Sequence, residues 1–362
     1  MTKEIAMNQH KLFNKVQDYY TDLVEQLATA QKDISMSYLA FEDGKWAGEI
    51  SEVLRSKVEE GVHVRLMVDE IGQLLDEPRR IHRNFEIINH LRSLGMQVDV
   101  FKPVSPLQIS NRLHTKFAAI DNRTVFLGGS NIGDYYTTWT DTNLRVDGKL
   151  GNTFHNVYDF LRGFSSQGEA GARLMDIKNL RVGNERLWLT VPHHSYDIRN
   201  ALMDLILGAE KSIFIRTWYF LPDDEMLDIL CEQARNGVQV NVLLSHKTRV
   251  RPVDFANHLH VHKLVCAGGH VFRYTGKYMH SKAAWNDQGD ALFGSANLDP
   301  TSMRGNFESC LQIHDSKLTW ELRRSFYADL PDSPKQTPES YSERSFTDKA
   351  LTHACNLASS WL

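Results

Sequence analysis

Apolar positions fall at helical spacing in EISEVLRSKVEEG (49–61), which ends on a glycine, and then crowd into a short strand-like run, VHVRLMV (62–68). The same switch recurs in EMLDILCEQARNG (225–237) followed by VQVNVLL (238–244). Before each pair stands a lysine-bearing turn and an apolar strand, AQKDISMSYLAF (30–41) and AEKSIFIRTWYF (209–220). After each comes a second helix ending near Gly95 or Gly268, and then a further strand. One order of elements is therefore written twice along the chain.

Strands alternating with helices predict an α/β fold of two repeats, residues 1–175 and 176–362, forming a pseudo-dimer of mixed, mostly parallel sheets flanked by helices. The polar, glycine-containing SSQGEAGARLMD (165–176) reads as the connector. From about residue 331 the chain is rich in Ser, Pro, Lys and Glu and reads as a flexible tail. Within it, a stretch from about Phe346 has the pattern of an amphipathic segment able to lie on a membrane.

Polar residues repeat more faithfully than the elements do. The first copy carries His114, Lys116, Asp121, Gly128, Gly129 and Asn131; the second carries His280, Lys282, Asp287, Gly294, Ser295 and Asn297. On an extended backbone, residues two apart face one side, so each imidazole projects with its ammonium and makes a seat for phosphate. Asn131 and Asn297 add amide donors, and the glycines before them would let backbone approach a ligand. Two such half-sites meeting on one phosphodiester would form a preorganised anion hole, with Lys116, Asn131, Lys282, Ser295 and Asn297 as the phosphate-binding set. Asp121 and Asp287 belong to the same constellation but lie an odd number of residues from their histidines at a strand-to-turn boundary, which assigns them to fixing the turn.

Composition narrows the class. The chain has 362 residues, 42% hydrophobic and 24% charged, with a formal net charge of -4. No global positive field draws it to nucleic acid, so no nucleic-acid partner is expected. Four cysteines without paired spacing argue against a zinc site or disulfide framework and for a reducing compartment, cytoplasmic or peripheral on the cytoplasmic face of the cell membrane. Neither a signal peptide nor a bilayer-spanning run is seen. The run HLHVHK, with His258, His260 and His262, reads as an exposed helix rather than a metal site. His193 and His194 read as loop residues. The aromatic clusters Tyr135, Tyr136, Trp139 and Trp218, Tyr219, Phe220 read equally as core or as the mouth of a lipid-binding cleft. The basic stretches SHKTRVRP (245–252) and PRRIHR (78–83) could meet lipid headgroups.

The paired motifs resemble the HxKxxxxD signature of the phospholipase D superfamily, and the likeness spans about residues 25 to 330. More narrowly, TTWTDTNLRVDG (137–148), WYFLPDDEMLDIL (218–230) and GSANLDPTSMRGNFES (294–309) are similar to segments of bacterial cardiolipin synthases. The resemblance implies cofactor-free and metal-free phosphatidyl transfer through a phosphohistidine, with a glycerophospholipid as substrate, peripheral membrane contact, and cardiolipin formed from phosphatidylglycerol. It makes His114 the nucleophile and His280 the general acid, each held by a carboxylate from about 27 residues downstream: Asp141 for His114 and Glu308 for His280. Within the same superfamily the alternatives are a phospholipase D hydrolase, a nuclease, or a lipid-binding protein without activity.

Overall fold

The computed structural model describes residues 8–75, 81–102, 111–167 and 181–357. The helices Lys45–Glu59 and Asp224–Arg235 stand where the apolar spacing placed them. After them Gly61 and Gly237 take φ of 87° and 91°, the left-handed conformation that turns the chain from helix into strand without a Cβ clash. The second helix is capped by Asp223, whose carboxylate accepts from the Met226 N–H at 3.0 Å.

Two sheets share one strand order. The first runs Gln9–Lys15, Thr140–Asp147, Thr124–Gly128, Phe117–Ile120, Asp33–Tyr38, His63–Asp69, Gln97–Phe101. The second runs Ser195–Tyr196, Glu185–Val191, Glu308–His314, Asp290–Gly294, Ala283–Asn286, Ser212–Thr217, Gln239–Ser245, His270–Tyr274, with Arg181–Val182 beside Glu185–Val191. The two expected α/β repeats are present, but parallel pairing is confined to the last three strands of each sheet. The remaining pairs are antiparallel, which corrects the expectation of mostly parallel sheets. The reason is loop length: only a tight turn at Asp121–Arg123 separates Phe117–Ile120 from Thr124–Gly128, and a parallel return would need a crossover of a dozen or more residues.

Asp121 and Asp287 hold those turns. The Asp121 carboxylate accepts the backbone N–H groups of Gln31, Lys32 and Asp33 at 2.8–3.1 Å, and Asp287 accepts those of Glu210, Lys211 and Ser212 at 3.0–3.1 Å. Burial alone would raise both carboxyls, but these donors hold them below the ordinary carboxylate range.

One apolar cluster belongs to the first half and is joined by Trp218 of the second, another lies wholly in the second half, and a third is shared. Phe117, Leu127, Leu144 and Phe154 of the first half pack in one core with Leu187, Phe214, Trp285 and Phe293 of the second. Burying such side chains is worth roughly 1.5–3 kcal/mol each, so the shared core favours the two halves packing as one unit. The expected boundary near residue 175, most of the connector, and the PRR of PRRIHR lie outside the described residues.

The flexible-tail expectation is corrected over residues 331–357. Backbone hydrogen bonds tie Thr275 to Asp332, Arg273 to Pro334 and Gln336 to Val271, covering the edge of strand His270–Tyr274. The helix Phe346–Leu357 then packs on helix Arg251–Cys266. His258, His260 and His262 are consequently half-buried rather than exposed, with the Arg273 guanidinium donating to His258 Nδ1 at 3.1 Å and Tyr341 against the His262 ring at 4.8 Å. His193 and His194 do lie in a turn.

Candidate active site

Two short parallel bridges sew the halves together where the chemistry stands. In one, the His114 N–H donates to Phe307 O (2.9 Å) and the Phe307 N–H to Arg112 O (2.8 Å). In the other, the His280 N–H donates to Thr140 O (2.7 Å) and the Thr140 N–H to Tyr278 O (2.8 Å). The residue after each bridging position in the opposite half is a carboxylate, Glu308 after Phe307 and Asp141 after Thr140.

The histidine–carboxylate pairs are therefore crossed between the halves. His114 Nδ1 lies 2.7 Å from Glu308 Oε1, and His280 Nδ1 lies 3.0 Å from Asp141 Oδ2. This corrects the assignment of Asp141 to His114 and Glu308 to His280: matched spacing in the sequence tracked equivalent positions of the repeat, while the bridges deliver each to the other half's ring. A carboxylate at Nδ1 fixes that nitrogen as the proton-bearing one and leaves Nε2 for reaction.

Each carboxylate is held by a serine. Ser295, expected at the phosphate, is fully buried and spends its hydroxyl on Glu308 Oε2. Ser130 does the same for Asp141 Oδ2 at 2.9 Å. Ser130 stands one place further along its motif than Ser295 does, so a test for identical residues at identical offsets passes over it. The glycines too serve packing rather than a ligand. A Cβ on Gly129 would come 2.4 Å from Asp141 Oδ1, and one on Gly294 would come 2.2 Å from Ser309 O.

His114, His280, Asn131 and Asn297 line one cleft of about 370 Å³. Lys116 and Lys282 are buried beside their histidines, donating to His114 O at 2.8 Å and His280 O at 2.6 Å. The Asn131 amide donates to Tyr136 Oη at 2.9 Å. The aromatic clusters divide: Tyr136, Trp139, Trp218 and Tyr219 line the cleft, whereas Phe220 is buried in the core of the second half. Trp218 meets the His280 ring edge-on at 4.3 Å between centroids, and Trp139 lies 5.3 Å from it. Asp299, Thr301, Ser302 and Asn306 also line the cleft. The repeat does not reveal them, because Asp299 corresponds to Gly133 in the first copy.

The electrostatics of the two half-sites differ. Burial pushes His114 below its ordinary value, with Glu308 pulling upward and both lysines pushing further down. Burial and the ammoniums of Lys282 and Lys116 drive His280 well below its ordinary value. Burial pushes Asp141 up to about 6, whereas in Glu308 the same effect is outweighed by His114, Lys116 and Ser295, leaving it lowered. Burial also brings Lys282 down to about 7 and Asp299 up to about 7. Each ring senses both ammoniums, as one shared site requires. Among the described residues, no three of His, Cys, Asp and Glu are grouped as a metal ion would need.

Such a cleft presents two histidines and two asparagines to one space, with two ammoniums buried beside the rings and carboxylates behind them to stabilise positive charge, an arrangement suited to a single tetrahedral anion. A family model described as cardiolipin synthase, PLD-like domain, matches residues 23–154 and 202–330. The cardiolipin synthase of Clostridium perfringens strain 13 is 27% identical over 362 residues, covering 94% of this chain and 74% of that protein. Cardiolipin synthase 1 of Staphylococcus epidermidis ATCC 35984 is 28% identical over 358 residues, covering 94% and 70%. Among solved structures, a phosphatidylserine synthase from Haemophilus influenzae Rd KW20 superposes with a TM-score of 0.78 at 15% identity, over 98% of this chain and 95% of that one, and shares the fold.

Proposed function

Because the chain belongs to the cardiolipin synthase family of phospholipase-D-like domains, we propose that it transfers a phosphatidyl group from one phosphatidylglycerol to a hydroxyl of a second, releasing glycerol. His114 Nε2 attacks phosphorus, the bond from phosphorus to the headgroup oxygen breaks, and His280 gives that oxygen a proton. The acceptor hydroxyl then passes its proton to His280 while its oxygen attacks phosphorus and the P–N bond breaks. Two phosphatidylglycerols become one cardiolipin and one glycerol.

The observation that carries this reading is the crossed pair of histidine–carboxylate contacts opening into one cleft. Glu308, held below the ordinary carboxylate range and bonded by Ser295, offsets the positive charge that grows on His114 as it attacks. Lys116 and Lys282 offset the charge of the phosphate, and the Asn131 and Asn297 amides donate hydrogen bonds to it. The aromatic wall beside His280 keeps water sparse near the phosphoenzyme, which favours an alcohol over hydrolysis.

Among the described residues, no helix is long and apolar enough to cross a membrane. Because the substrate is a lipid, contact with the lipid surface is proposed to be peripheral, at the face where the cleft opens. The test offers labelled phosphatidylglycerol in vesicles, with and without chelator. Cardiolipin and glycerol in equal amounts, unaffected by chelator, are expected; phosphatidic acid as the sole lipid product would make the chain a hydrolase instead.

A further inference from the structure

Among the described residues lining the cleft, Arg249 is a cation with no part assigned to it in the phosphoryl steps above, although its charge helps to lower His280. Arg249 lies in the loop between strand Gln239–Ser245 and helix Arg251–Cys266, and it lines the same cleft as both histidines. Its loop is shaped from within: Ser245 Oγ donates to Lys247 O (2.6 Å), the Thr248 N–H to Asp254 Oδ1 (2.9 Å) and the Val250 N–H to Thr248 Oγ1 (3.1 Å). The guanidinium reaches across to the first half, donating to Tyr135 Oη at 3.0 Å with its centre 5.5 Å from that ring.

From there an aromatic path returns to the reacting atoms. Tyr135 packs on Trp139 at 5.2 Å, and Trp139 on the His280 ring at 5.3 Å. The equivalent corner of the first half is built differently: strand His63–Asp69 runs directly into helix Glu70–Leu75, and Asp69 is occupied by the Arg112 side chain and the Leu113 N–H. Among the described residues that line the cleft, Arg249 has no counterpart in the first half, so the described lining is unequal on its two sides.

That inequality matches a chemical one, and here the inference rests on the reaction proposed above. The donor lipid has a single phosphodiester, which must sit between the histidines. The acceptor brings a second, separated from its attacking hydroxyl only by the carbons of its glycerol headgroup. We propose that Arg249 binds the phosphodiester of the acceptor lipid and so places the acceptor's hydroxyl over the phosphoenzyme, making it a positioning and specificity residue for transfer to an anionic lipid. A planar guanidinium anchored on a tyrosine suits a phosphate, and an exposed loop suits a substrate that must enter from a lipid surface.

The test gives the enzyme phosphatidylglycerol in neutral detergent micelles with ethanol, so that phosphatidylglycerol, ethanol and water compete for one phosphoenzyme. Arg249→Ala should lower cardiolipin relative to phosphatidylethanol by about 10- to 100-fold, the usual worth of a charge-assisted hydrogen bond, and Arg249→Lys should recover part of that ratio. If cardiolipin, phosphatidylethanol and phosphatidic acid all fall together, Arg249 serves the donor, the lipid surface or the fold, and the inference is overturned. A wild-type chain that makes phosphatidylethanol but no cardiolipin would remove the proposed reaction and this inference with it, so the two failures look different.

Discussion

The two half-sites carry one motif but different proton affinities. His114 faces Glu308, a carboxylate kept charged by its surroundings, while His280 sits against Trp218 and Trp139 with Asp141, whose carboxyl is pushed up to about 6. A ring backed by a charged partner can carry the lasting positive charge of a phosphohistidine. A ring whose value is driven well below the ordinary one gives up a proton readily once the substrate's negative charge has helped load it. The two copies supply equivalent rings, and the packing around them differs in the sense that the proposed roles need, His114 as nucleophile and His280 as acid.

The largest expected effects separate those roles. His114→Ala and His280→Ala should each lower turnover of phosphatidylglycerol by at least about 10³-fold. On phosphatidyl-p-nitrophenol, whose leaving group needs no proton, His280→Ala should still release a burst of one nitrophenolate per active site, and His114→Ala should release none. A burst from His114→Ala and none from His280→Ala would exchange the assignments.

The carboxylates come next, at about 10²-fold. Asp141→Asn should behave as His280→Ala does, recovering on the activated substrate, and Glu308→Gln should follow His114→Ala. The opposite pattern would restore the uncrossed pairing that repeat spacing suggests.

A smaller effect is the pH dependence of kcat/KM. His114 must be neutral to attack and its value is lowered, so the acid limb should lie below pH 6.5. His280 must carry the proton it gives and its value is driven well below the ordinary one, and Lys282 must be charged to hold phosphate with its value brought down to about 7, so kcat/KM should already fall on the alkaline side of the acid limb and fall further as pH rises through about 7. A plateau extending to pH 9, with chemistry rate-limiting, would contradict the role given to Lys282.

The smallest effect concerns the joint between halves away from the cleft. His10, on the edge strand of the first sheet, places its two ring nitrogens 2.9 Å from Glu185 and 2.9 Å from Asp315 of the second half. Burial alone would lower its value, but the two carboxylates raise it, so the stabilisation is complete below pH 6.5 and is lost as pH rises through the raised value. Comparing melting of wild type and His10→Gln at pH 6 and pH 8.5 should show a gap of a few degrees at the lower pH that narrows at the higher. An equal gap at both would leave His10 as a packing residue only.

Much of this was legible in the sequence because it is local. The helices, their glycine stops and the strands after them follow from spacing within a dozen residues, and the motif residues from comparing one copy with the other. What lay beyond reach depends on contacts between distant segments. Glu308 comes to His114 only because Phe307 pairs with the backbone of residues 112 to 114. Ser130 and Ser295 share a task from non-equivalent positions, so the repeat itself hides it. The tail is polar enough to read as disordered, yet it finds the edge of strand His270–Tyr274 and the helix bearing His258 and His262.

The most direct measurement is to trap the covalent intermediate. Enzyme mixed with labelled phosphatidylglycerol, quenched in alkali where a phosphohistidine survives, and mapped by peptide mass should carry the phosphatidyl group on His114, at no more than one per chain. Label on another residue, or on the two rings of one chain at once, would contradict a single site shared by both halves.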